Sequence, residues 1–488
     1  MKDNKPNPLT LVTLAGAQFM VVLDATIVNV ALPSIQQALN FTSSAQLQWI
    51  VTAYTLMFGG FLLLGGRLAD LMGRRKMFLI GVTLFALSSL LAGFAQNPTQ
   101  IIIFRSLQGL SGALLSPAAL SLVLTIYKDG KERNRALGVW STVAAGGGAF
   151  GLLLGGVLTQ YIDWRWIFFI NIPIAALIIF SSFRNVPKSS ERGKGVSLDL
   201  PGAISVTAGL IVLVYAFVRA ADFGWLSPET LGLFGLAILL LVGFVINELK
   251  VKQPLMPLRI FKNRNVAAGT LMQLPITAGM FGVFFYLSIY MQQILNYTPF
   301  QSGLLNLPFT ICIAITAGII SKKIAKIAPK SILIISPLFI AAGLFYFSRI
   351  PVEGNYVRDV LPGIVLMATG MGATFVALTL AVTSGVSEKE SGLVSGLLNT
   401  AQQVGGAIGL AVLTTVSTST TNAAMTVANG NPSAMTASLV AGFERAFLVA
   451  ACFAIAASLI AFFGLTYQKL PKHEAERETE TKTLPIAA

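Results

Sequence analysis

Two apolar runs, residues 47–65 and 77–95, are joined by the eleven residues Gly66–Lys76, GRLADLMGRRK. Each run is long enough to cross a bilayer as a helix, and the joint has room only for a tight turn. In lipid every backbone polar group must be satisfied internally, so two such runs fold as a helical pair. The turn carries Arg67, Asp70, Arg74, Arg75 and Lys76, three of its cations consecutive. A loop this basic is retained on the cytoplasmic side of a membrane.

The pattern repeats along the whole chain. Of 488 residues, 55% are hydrophobic and 11% charged, against about 25% charged in an ordinary soluble domain. That excludes a soluble fold and leaves little room for a soluble domain. Fourteen helices are predicted, near 9–33, 47–66, 77–95, 99–126, 136–159, 165–184, 200–219, 230–249, 265–291, 301–321, 331–348, 361–385, 391–416 and 443–467. The first run, 9–32, is too long for a signal-peptide core and lacks a cleavage pattern, so it counts as a span.

The net charge of +14 raises the question of nucleic acid, and the position of the charges answers it. With these spans, 28 of the 34 Lys and Arg fall in the termini and loops on the side of GRLADLMGRRK. The opposite side holds five, Arg165, Arg219, Arg349, Arg358 and Arg445, and Arg105 lies within a span. This asymmetry is a topology signal that places both termini in the cytoplasm, in agreement with an even number of spans. No nucleic-acid partner is implied.

The expected fold is an all-α integral membrane protein of two six-helix bundles plus two additional central helices. The first bundle is residues 1–184. A cytoplasmic linker and the two extra helices occupy 185–264, the second bundle 265–467, and a disordered tail 468–488. GIISKKIAKIAPK at 318–330 stands in the second half where GRLADLMGRRK stands in the first, keeping the Gly and the cations without the Asp. Such weak internal repeats mark transporters. The uncharged segment 417–442 is expected to be a mobile outer loop.

Few residues can carry chemistry. Asp24 is the one acidic residue placed deep within a predicted span, where hydrocarbon disfavours a charged carboxylate. It is therefore a candidate proton carrier, or else a polar packing group. Arg105 is the one deep cation and shares a helix face with Gln108, Gly109, Gly112 and Ser116. A lone buried Arg needs an acceptor, and Asp24 is the obvious one on charge grounds. The alternative to a proton-coupling pair is a static lock between two helices.

Gly147, Gly151 and Gly155 recur every four residues, with Gly156 adjoining, a spacing that lets helix backbones approach closely. Gly66, Asp70, Gly73, Arg74 and Arg75 form a conformational-switch loop, in which Asp70 pairs either with Arg74 or with a helix N-terminus of the other half. Amides within spans prefer a cavity or another helix to lipid. Ser395, Asn399, Gln402 and Gly406 lie along one stripe with Gln403 next to it, lining a substrate path or bonding helices together. Asn399, Gln402 and Gln403, with Gln18, Tyr54, Gln108, Gln273 and Gln292, are the substrate-cavity candidates. The only histidine, His473, lies in the tail, and Cys312 and Cys452 both fall in apolar runs. No disulfide framework, metal cluster or Walker-type phosphate loop is visible, and a membrane-embedded enzyme would lack its nucleophile and base.

LDATIVNVALP at 23–33, GRLADLMGRRK, RSLQGLSGA at 105–113 and WRWIFFINIPI at 164–174 together resemble the motifs of the major facilitator superfamily. With QPLMPLRIFKNRN at 253–265 they look like its fourteen-span drug:proton antiporter branch. The segment GLLLGG at 151–156 departs from the branch's Gly-Pro-x-x-Gly-Gly pattern in having no Pro. The resemblance implies a monomeric bacterial cytoplasmic-membrane exporter with no cofactor. Its partners would be the lipid bilayer, protons as the energy source, and small amphipathic drugs, dyes or antiseptics. The alternatives are a proton-coupled transporter of a physiological lipid or metabolite, or a proton-independent facilitator.

Overall fold

The computed structural model describes residues 8–127, 130–187, 199–323, 328–383, 386, 388–429 and 431–466. The tail 468–488 with His473, residues 188–198 of the linker and residues 324–327 of the second-half turn lie outside them. Among the described residues there is no strand.

Among the described residues, fourteen long helices form the fold. The first six are α1 (Pro8–Ala38), α2 (Ala45–Met72), α3 (Arg74–Gly93), α4 (Pro98–Ile126), α5 (Gly130–Tyr161) and α6 (Trp166–Asn185). The inserted pair is α7 (Leu200–Phe223) and α8 (Pro228–Lys250). The last six are α9 (Arg264–Ile294), α10 (Pro299–Lys323), α11 (Pro329–Phe347), α12 (Tyr356–Thr383), α13 (Glu388–Val427) and α14 (Met435–Gly464). Thirteen are apolar and long enough to cross a membrane; the other, α5, lies along α1.

The two bundles repeat one packing plan. In the first, α1 packs on α5 and α6, α2 on α4, and α3 on α4 and α6. Eight helices later α9 packs on α13 and α14, α10 on α12, and α11 on α12 and α14. The inserted pair sits outside this plan. Its α7 closes over the seam between α2 and α13, where Leu56, Leu210, Val214, Ala407 and Ala411 are buried together.

The segment 417–442 is not a loose outer loop. Its first part extends α13 to Val427 and its last part begins α14 at Met435. Hydroxyls that would otherwise compete with the helix bond back along it, Thr420 to the Val416 carbonyl and Thr426 to that of Asn422. Gly442 of α14 lies against Ser417 and Thr421 of α13, which stiffens the hairpin. Because α14 starts at Met435, Glu444 lies in its third turn, so Asp24 is not the only acidic residue inside a span.

The turn Gly66–Lys76 marks one membrane face, called here the basic face; the other is charge-poor. At the turn Gly73 takes φ 98°, a conformation that favours glycine. Asp70 and Arg74 pair at 3.1 Å, and Arg74 also reaches the Thr125 hydroxyl on α4. Arg75 donates to the Ser182 and Phe183 carbonyls at the end of α6, 3.1 Å each, a favourable place for a cation. Arg67 donates to the carbonyls of Gln253 (2.8 Å) and Pro254 in the linker to the second half. Beside it Asp199 caps α7 through the Gly202 N–H (2.9 Å), and both its oxygens accept from Asn247 of α8 at 2.8 Å.

The halves touch at the charge-poor face. Ser288 and Gln292 of α9 donate to the carbonyls of Asn29 (2.7 Å) and Val30 (2.9 Å) on α1, and Gln293 to Gln36 at 3.0 Å. Gly156 of α5 meets the backbone of Pro299 and Phe300 on α10. Towards the basic face a cavity of about 470 Å³ opens between the halves.

Candidate functional site

Among the described residues, the most deeply buried charges meet in the first bundle. Asp24 of α1 and Arg105 of α4 are 0% and 1% exposed, and Arg105 Nη1 donates to Asp24 Oδ2 at 2.6 Å. Two glycines on α4 bring this about. A Cβ on Gly109 would lie 2.2 Å from the Tyr54 carbonyl, and one on Gly112 2.9 Å from the Phe58 ring. With hydrogens there instead, α4 presses onto α2, and the Arg105 guanidinium sits 4.3 Å from the Tyr54 ring centre, close enough for cation–π attraction.

Hydrogen bonds from four helices, α2, α3, α4 and α6, complete the shell. Asp24 Oδ1 accepts from Gln108 Nε2 at 2.7 Å and from Asn171 Nδ2 of α6 at 2.8 Å. Arg105 donates further to Gln108 Oε1 (2.7 Å) and, through Nε, to the Ile50 carbonyl (3.1 Å). Ser89 of α3 accepts from both amides, at 3.2 Å and 3.0 Å, and donates to the Phe168 carbonyl at 2.8 Å. A buried ion pair persists only where such bonds saturate its atoms. Protonating Asp24 would remove the ion pair and leave Arg105 on Gln108, Ile50 and the Tyr54 ring. Two buried atoms, Tyr54 Oη and Asn171 Oδ1, have no hydrogen-bond partner among the described residues.

The same α4 face continues to the cavity. Ser116, eleven residues from Arg105, donates to Gln18 Oε1 of α1 at 2.9 Å and lines the cavity wall. The opposite wall is α13, with Leu393, Ser395 and Asn399, and the mouth carries Arg67, Asp70 and Arg74. One helix face thus links the buried charges to the space between the halves.

The substrate-cavity candidates scatter. Asn399 lines the cavity and Gln18 stands behind its wall. Gln108 and Tyr54 are fully buried in the ion-pair shell instead, since Arg105 needs an acceptor and a ring. Gln292 is taken up by the contact between halves at the charge-poor face. Gln403 packs against Gly59 in the α2–α13 seam, Gln402 beside it is half-buried, and Gln273 is buried in α9. Asp70 pairs with Arg74, within its own half.

The packing glycines divide by partner. A Cβ on Gly151 would stand 2.0 Å from Thr26 Oγ1, and Gly147 and Gly155 face the same helix, α1; Gly156 instead faces α10 across the halves. Sequence reasoning passed over Ser89 and Asn171. Asn171 lies in WRWIFFINIPI, which is where a signal was available; Ser89 offers none.

Comparison with known proteins adds three findings. The family described as Major Facilitator Superfamily matches residues 14–410. The puromycin resistance protein pur8 of Streptomyces alboniger is 39% identical over 92% of this chain and 89% of its own length. The cephamycin export protein CmcT of Amycolatopsis lactamdurans is 36% identical over 92% and 91%, and the multidrug transporter protein MdtP of Bacillus subtilis 31% identical over 84% and 76%. Among solved structures, a bacterial homolog of the human lysosomal transporter Spinster, in an inward-facing and occupied conformation, superposes with a TM-score of 0.68 at 15% identity. That match covers 93% of this chain and 96% of the other, a likeness of fold alone.

Proposed function

The chain belongs to the Major Facilitator Superfamily, and from that premise we propose that it exports drugs from a bacterial cell in exchange for protons. The substrates are amphipathic drugs, dyes or antiseptics; the names of the relatives support drugs, antibiotics among them, as the broad class. The basic face is cytoplasmic on the positive-inside rule. The structure then has the form of an inward-facing carrier, closed outside and open to the cell.

One observation carries the reading. A saturated Asp24–Arg105 pair lies on the α4 face that also walls the cavity. Asp24 takes up a proton when the carrier faces outward, and its neutral form accompanies the return to the inward state. Release of that proton inside restores the pair and the geometry of α4 around the cavity, where substrate is captured. Each proton returning at about 100 mV supplies roughly 2.3 kcal/mol. Asp70, Arg74 and Gly73 form the hinge of the first bundle, and no cofactor takes part. The carrier works as a monomer.

The test is efflux of ethidium from cells expressing wild type or Asp24→Asn, each with and without a protonophore. Efflux stopped by the protonophore and absent in the variant is the expected result. Efflux untouched by either change would leave a facilitator.

A further inference from the structure

A second concave site lies outside the cavity between the halves. At the basic face the first two turns of α9 and the last two of α14, in contact through Ala268 and Gly464, line a slot of about 630 Å³. Its floor is made of small residues, Ala267, Ala268 and Gly464, and its rims are Phe261, Leu271, Leu459 and Phe463. Leu271, Leu459 and Phe463 are 53%, 53% and 71% exposed, so the slot opens sideways towards lipid and not into the protein. Two helical turns are about 11 Å long, the depth from a headgroup to the upper part of an acyl chain.

Arg264 stands at the mouth. Among the described residues its guanidinium makes a single hydrogen bond, from Nη2 to the Phe463 carbonyl at 3.2 Å, which leaves donors facing outward. Lys262, two residues before Arg264 in the chain, is exposed, and Lys330 is tied to the Leu465 carbonyl at 2.7 Å. From Lys250 to Arg264 the sequence has five cations and no acidic residue. A basic mouth over an apolar slot at the membrane surface matches one kind of molecule, a lipid with a net negative headgroup.

We propose that this slot is a binding site for an anionic phospholipid, its phosphate on Arg264 and Lys262 and one acyl chain along Ala267, Leu271 and Leu459. The inference is independent of what the carrier transports. Several cations around one phosphate favour a net anionic headgroup over a zwitterionic one, and near a surface each contributes about fivefold.

Native mass spectrometry of the purified full-length protein in an equimolar mixture of phosphatidylglycerol and phosphatidylethanolamine tests this. Wild type should retain phosphatidylglycerol, and the Arg264→Gln/Lys262→Gln double variant should lose that preference roughly twenty-five-fold. Ala267→Trp fills the slot without touching a charge and should also lose the lipid, which separates a site from a diffuse basic surface. Equal retention of the two lipids by wild type overturns the proposal. So does lipid retained by Ala267→Trp, or a dimer in place of the lipid adduct. If the double variant does not fold, the wild-type competition and Ala267→Trp still decide.

Discussion

At the scale of single residues, the molecule is defined by a charge pair that water does not reach. Arg105→Ala leaves Asp24 without a counter-charge, and losing one member of a buried pair costs about 3–5 kcal/mol. Thermal unfolding of the purified variant should show that loss, and Arg105→Lys, which keeps the charge but not the two-sided donor geometry, should recover part of it. Asp24 and Arg105 were legible because a charge inside an apolar run has few bland explanations. Asn171 and Ser89 were not, although they hold the same carboxylate shell together. Uncharged polar residues occur in most of these spans, and only folding shows which of them converge. The same ambiguity misplaced Gln108 and Tyr54 on a cavity wall.

At the scale of elements, α1 and α5 are held together by missing side chains. Gly151→Val places bulk where even a Cβ would lie 2.0 Å from Thr26. It should push α5 away from the helix that carries Asp24 and abolish efflux. Gly148→Ala should leave efflux intact, because nothing lies within 4 Å of a Cβ there. The inserted pair is fastened to the first bundle by chemistry that the sequence concealed. Burial alone would raise the Asp199 carboxyl, but bonds from the Gly202 N–H, Asn247 and Glu248 and the charge of Arg67 hold it below the usual carboxylate range. A group depressed on folding stabilises the protein above its unfolded value and loses that contribution as pH falls through its folded one. Asp199→Asn should therefore lower the unfolding temperature at neutral pH, with the difference from wild type persisting to about pH 4 and closing below it. Helix number and order were readable from apolar runs. The hairpin at 417–442 was not, because its Ser and Thr residues satisfy themselves on the helix backbone, which composition does not reveal.

At the scale of the whole molecule, two bundles of one plan meet at the charge-poor face and part towards the basic face. Gln36 and Gln293 bridge the closed side at 3.0 Å. With Cys312 and Cys452 replaced by Ser, a Gln36→Cys/Gln293→Cys protein joined by a short bis-methanethiosulfonate crosslinker, which links through disulfides, should stop transporting, and reductant should restore it. Transport that continues through the crosslink would mean that these ends do not separate during the cycle. In the proposed cycle, substrate and proton exchange through Asp24. The most direct measurement is proton release from the purified carrier on adding ethidium in weakly buffered solution. At a pH low enough that part of the protein still holds the Asp24 proton, wild type should release protons on binding, and Asp24→Asn should bind the dye without releasing any. Equal release from both proteins would contradict the claim.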